Sequence, residues 1–139
     1  MNYARAFRLV MGLVSLHSLV LGLLLYFFTA PVLQAFGFQQ GPSLFYPRQS
    51  GVFLFILGIA YLLPAVDLRR FRAFAWFTVV SKLCAVLFLY GEVLVFRASR
   101  IVLLAGIGDT LMGLVILLLC LQTRGEWQAS ATSCGEAPR

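Results

Sequence analysis

Charge is scarce in this sequence. Only 12% of the 139 residues are charged, 61% are hydrophobic, and the mean hydropathy is +0.93. The polar surface that a soluble core of this length requires is not available. Histidine is reduced to one residue, which excludes a histidine-ligated metal centre and a bis-histidine haem. The three cysteines, Cys84, Cys120 and Cys134, have no C-x-x-C or metal-type spacing, so thiol oxidoreductase chemistry is not expected. H-E-x-x-H, G-x-S-x-G, a P-loop and a dinucleotide fingerprint are missing as well. We therefore expect no enzymatic activity and no cofactor.

What the chain does contain is long apolar runs. Four of them, about 7–28, 45–66, 73–96 and 101–121, approach the ~20 residues needed to cross a hydrocarbon core. They predict an all-α fold, an integral membrane four-helix bundle in one domain over 1–124. The breaks between them carry turn chemistry or charge: "TAPVLQAFGFQQGPS", "VDLRRFR" and "FRASR". The opening "MNYARAFR" resembles the basic start of a signal peptide, but the apolar stretch behind it exceeds the usual 7–15 residues or so and no A-x-A site follows, so a retained helix is expected. Residues 125–139, polar and rich in small side chains, predict a short disordered cytoplasmic tail beyond an interfacial Trp127.

The Lys/Arg bias of the short loops sets the expected orientation. Arg5, Arg8, Arg69, Arg70, Arg72 and Arg124 share one side, against Arg97, Arg100 and at most Arg48 on the other. Both termini are thus expected in the cytoplasm. The formal charge of +6 then serves topology and the interface, with attraction to anionic lipid and no nucleic-acid partner.

Several polar residues fall inside these spans. Lys82 lies about ten residues into the third, some 15 Å from its cytoplasmic end, near the bilayer centre. An isolated ion there costs about 2.5–3.5 kcal/mol even on the lenient insertion scale, so it is expected to face the bundle interior and pair. Asp109 of the fourth span is the expected counter-ion. Arg48, near the outer end of the second, could bind the same carboxylate, a backbone carbonyl or an anionic headgroup, with Glu92 as its alternative partner. Gly106 and Gly113 flank Asp109, Gly51 and Gly58 share a side with Arg48, and Ser18 and Gly22 repeat the small-residue pattern that permits close helix approach. Pro64 is expected to kink or end the second helix. His17 shares a stripe with Val10, Val14, Leu21 and Leu24, which predicts a neutral imidazole hydrogen-bonded within the bundle. Tyr61 and Tyr90 read as packing or interfacial aromatics.

The run "FYPRQSGVFLFILGIAYLLPAVDLRRFR", followed by "SK" in the third helix and "GD" in the fourth, resembles the DoxX-like superfamily of small four-helix bacterial membrane proteins. The resemblance covers helices two to four and is loose in the first. It maps the family's Arg, Gly-x-x-Tyr, Lys and Asp onto Arg48, Gly58, Tyr61, Lys82 and Asp109. It implies a four-helix bundle in the bacterial cytoplasmic membrane. It implies no single activity, since some members are subunits of quinone-linked sulfur oxidation or redox-stress complexes.

Two function classes follow. In the first, Arg48, Lys82 and Asp109, with His17, Tyr61 and Glu92 as further candidates, line a polar pocket that takes a lipid, a quinone or a small anionic molecule. In the second, the bundle is a non-catalytic accessory subunit of a larger membrane complex and the Lys82–Asp109 pair only fixes helix register; a homo-oligomer that retains lipid or quinone would favour the first class, and heterologous partners the second.

Overall fold

The computed structural model describes residues 3–39 and 41–133, with side chains of the last helix through Thr123. The chain forms α1 (Tyr3–Phe27), α2 (Thr29–Ala35), α3 (Phe45–Val66), α4 (Arg72–Phe96) and α5 (Arg100–Ser133). All but α2 are long and apolar enough to cross a membrane, and they form a helical bundle.

Two antiparallel pairs build the bundle. Helix α1 packs on α3 and α4 on α5, and the ring closes through α1 with α5 and α3 with α4. Gly22 and Gly51 bring α1 and α3 together backbone to backbone: a Cβ on Gly22 would stand 2.8 Å from the Gly51 carbonyl oxygen, and one on Gly51 2.8 Å from that of Gly22. In the same register the Ser15 hydroxyl donates to the Gly58 carbonyl at 2.7 Å. Lipid tails are as apolar as leucine, so burial from lipid gives little hydrophobic drive. Close contact of this kind, through dispersion and interhelical hydrogen bonds, is what holds membrane helices together.

The packed core occupies the half of the bundle nearest the termini. Phe7, Met11 and Val14 of α1 meet Tyr61, Leu68, Ala75, Ile116 and Cys120 from the other segments. Outward faces are leucine-rich, as at Leu9, Leu13, Leu87, Leu104 and Leu118. Asp67 organises the α3–α4 turn by accepting the Arg69 and Arg70 amides at 3.0 and 3.1 Å, and α3 continues only two residues past Pro64.

At the opposite end, the stretch expected to be a plain loop contains α2. Thr29 reaches back to the Leu25 carbonyl at 2.7 Å, Pro31 stands in the first turn, where its missing N–H costs nothing, and Gly37 ends the element at φ +76°. Helix α4 ends with Arg97 in the left-handed region at φ 53°, a conformation costing a non-glycine residue about 1–2 kcal/mol. The Ser99 hydroxyl then donates to the Phe36 carbonyl at 2.6 Å, tying the α4–α5 turn to the end of α2.

The expected disordered tail is corrected in part. Helix α5 runs on to Ser133, because extending a formed helix adds a hydrogen bond for each residue fixed and the stretch contains no proline, Gly125 being its weakest helix former. Residues 134–139, Cys134 among them, and the interfacial role assigned to Trp127 lie outside the described residues and side chains.

Candidate functional site

Lys82 and Asp109 meet as expected. Lys82 is 6% exposed, and its ammonium donates to the Asp109 carboxylate with Nζ···Oδ1 at 2.6 Å. Gly113, one turn along α5 from Asp109, makes room for the lysine stem: a Cβ there would lie 3.4 Å from that of Lys82. The pair sits in a polar seam. Tyr61 of α3 interacts with Ser81 beside Lys82 and lies within the field of Asp109. Further toward the α2 end, the Thr110 hydroxyl donates to the Gly106 carbonyl at 2.7 Å, which leaves the Tyr90 hydroxyl to donate to Thr110 at 3.3 Å. A cleft of about 170 Å³ borders the pair, with Val79, Val86, Leu114 and Leu117 among its walls. That is below the 300–1,000 Å³ or so of ordinary ligand sites. The two charges satisfy each other.

The remaining candidates do not join them. Arg48 is exposed and pairs with neither Asp109 nor Glu92. Helix α3 touches α1 and α4, and α5, which carries Asp109, stands across the ring from it. Arg48 instead borders a wide groove of about 830 Å³ with Tyr26, Ser43, Gln49, Val52 and Phe53. His17 is corrected more sharply: it is exposed on the outer face of α1. The buried stripe of that helix runs through Phe7, Met11, Val14, Ser15, Ser18 and Gly22, because close approach to α3 demands small residues and takes them inward. His17, about 100° around the helix from Ser18, turns toward the bundle's surroundings.

Beneath α2 is a further cavity, about 500 Å³, smaller than the Arg48 groove and larger than the cleft at the ion pair. The packed core stops short of this end, so all five helices contribute walls: Leu21 and Leu25 from α1, Val32 from α2, Ser50 from α3, Phe88 from α4 and Val102 from α5, with Phe36 just past the end of α2. Among the described residues, Glu92 is the only one lining the cavity with a formal charge. It is partly buried, and its carboxylate makes no hydrogen bond or ion pair with any described residue. Glu92 was expected both as a partner for Arg48 and as a further ligand-binding candidate in a polar pocket, and this apolar cavity was not foreseen. Pro31, Gly37, Gly41 and Pro42 read as a loop, and nothing local marked that loop as a roof.

Comparison of the chain with protein-family models, curated proteins and solved structures gave no match. The fold and these two sites define a class: a multi-pass α-helical membrane protein with a neutralised ion pair in its interior and an apolar cavity under a short capping helix.

Proposed function

We propose that this protein is a non-enzymatic binding protein of the bacterial cytoplasmic membrane that holds a lipophilic molecule, of lipid or quinone type, under α2. The observation that carries this reading is the cavity, whose volume of about 500 Å³ falls within the range of small-molecule sites and whose walls are almost wholly apolar. A free small anion is disfavoured there, since the nearest formal charge is the Glu92 carboxylate. Lys82 is engaged by Asp109, and Arg48, exposed in its separate groove, is open to an anionic headgroup. Both termini face the cytoplasm in this reading, and the DoxX-like resemblance rests on Arg48, Gly58, Tyr61, Lys82 and Asp109.

Native mass spectrometry of the protein released from non-ionic detergent, followed by extraction, tests the proposal. A lipophile retained by the wild type and lost from Leu25→Trp, which fills the cavity from α1, is the expected result. A chain that carries none, or retains it equally in the filled variant, refutes it. The second reading, an accessory subunit, draws on the mutual neutralisation of Lys82 and Asp109, which leaves that pair a structural role. Stoichiometric co-purification of a different membrane protein would favour it.

A further inference from the structure

We infer that the cavity under α2 selects lipophilic cations, such as hydrophobic amines, with the Glu92 carboxylate as the group that balances their charge. This deepens the cavity-binding reading and rests on it.

Three features point the same way. A carboxylate in an apolar wall is costly to hold ionised without a counter-charge, and Glu92 has none among the described residues: Arg48, Arg97 and Arg100 are all exposed, and none lies within ion-pair distance of it. Glu92 also stands in the last turn and a half of α4, whose C-terminal carbonyls bear partial negative charge and favour a cation. The Glu92 carbonyl itself accepts the Ala98 amide at 3.1 Å as the helix closes, which fixes the backbone at this position. Third, Phe36, Tyr46 and Phe88 line the same space, and aromatic faces attract a desolvated cation. The Ser50 hydroxyl donates to the Tyr46 carbonyl at 3.0 Å and is committed elsewhere.

Position suits an amphiphile. Glu92 is four residues from the end of α4, about 6 Å along the axis, while Leu21, Leu25 and Leu89 line the cavity around it with aliphatic surface. A ligand with a charged head and an apolar body can thus place its charge near the helix end and its body among the leucines. The chain as a whole carries +6, so its overall field favours anions; a preference for cations must come from a local group.

Tetraphenylphosphonium and tetraphenylborate, matched in size and opposite in charge, separate that local preference from shape. Their binding to full-length protein in non-ionic detergent is measured against protein-free micelles, with triphenylphosphine oxide as a neutral third compound. We expect the wild type to favour the phosphonium by at least about tenfold, Glu92→Gln to remove most of that preference, Glu92→Asp to keep part of it, and the neutral compound to bind all three alike. Equal affinity for both ions, or a preference for the borate, overturns the inference while leaving the cavity reading intact if the neutral compound binds. Absence of binding by all three compounds overturns the cavity reading, and the inference with it. If Glu92→Gln does not fold, the wild-type ratio and its loss in Glu92→Ala decide the matter.

Discussion

The salt bridge between α4 and α5 offers the sharpest test of how this bundle is held together. Lys82→Met and Asp109→Asn each remove one charge and leave the other. At the observed 2.6 Å, with the effective dielectric near 20 that suits protein sites, the gross attraction is about 6 kcal/mol. Much of that is offset by the cost of taking two ions out of water. Breaking a buried pair from one side typically costs about 3–5 kcal/mol, because the survivor is left uncompensated. The Asp109 side chain retains 17% exposure, so its stranding is cheaper and the lower end, about 3 kcal/mol per single substitution, is expected. The double substitution should lose less than either single one, because methionine fills the lysine channel beside Gly113 and no ion is left unpaired. Thermal unfolding of the four proteins in one detergent, followed by helical circular dichroism, gives the coupling energy, expected to be about 3 kcal/mol or more. Losses that add to within about 0.5 kcal/mol would show that the two groups act independently, and the pairing would no longer account for a lysine inside the membrane.

Other consequences of the structure are equally open to measurement. Gly22→Ala places a methyl 2.8 Å from the Gly51 oxygen and the Phe55 nitrogen; it is expected to destabilise the fold by about 1–3 kcal/mol in the same melts, whereas Gly91→Ala, with nothing within 4 Å, should be neutral or slightly stabilising. Ser99→Ala removes the bond to Phe36 at a cost of about 1 kcal/mol, and faster hydrogen exchange of the α2 amides is the expected signature; unchanged exchange would show that α2 is held by apolar contact alone. If both termini face the cytoplasm, as the Lys/Arg bias predicts, a cysteine at Gly41 should react with a membrane-impermeant maleimide added to intact cells, and one after Arg124 should not. The reverse pattern would invert the orientation.

The parts of this architecture that were legible in the sequence are those on which the bilayer imposes a one-dimensional rule. A span needs about 20 apolar residues, so α1, α3, α4 and the membrane part of α5 could be placed to within a few residues. A charge at mid-depth needs a partner at similar depth, and counting residues along two helices was enough to bring Lys82 to Asp109.

Which way each helix turns was not legible. In a soluble bundle the polar face is outside and the apolar face inside, but here both faces are apolar, and hydropathy does not separate Leu21, which lines the cavity, from Leu23, which is exposed. Steric demand decided instead. Gly22, Gly51 and Ser15 allowed α1 and α3 to touch, and that contact sent His17 outward and left α5 across the ring from Arg48. The roof over the cavity has the same origin. Helix α2 is too short to announce itself among prolines and glycines, and its place over the cavity depends on packing against α1 and on Ser99, 63 residues from Phe36 in the chain, which supplies a hydroxyl to the Phe36 carbonyl. Span, depth and charge pairing are properties of position along the chain, which composition alone can set. The facing of Glu92 into an apolar cavity depends on how four helices pack around it, and only the tertiary structure decides that.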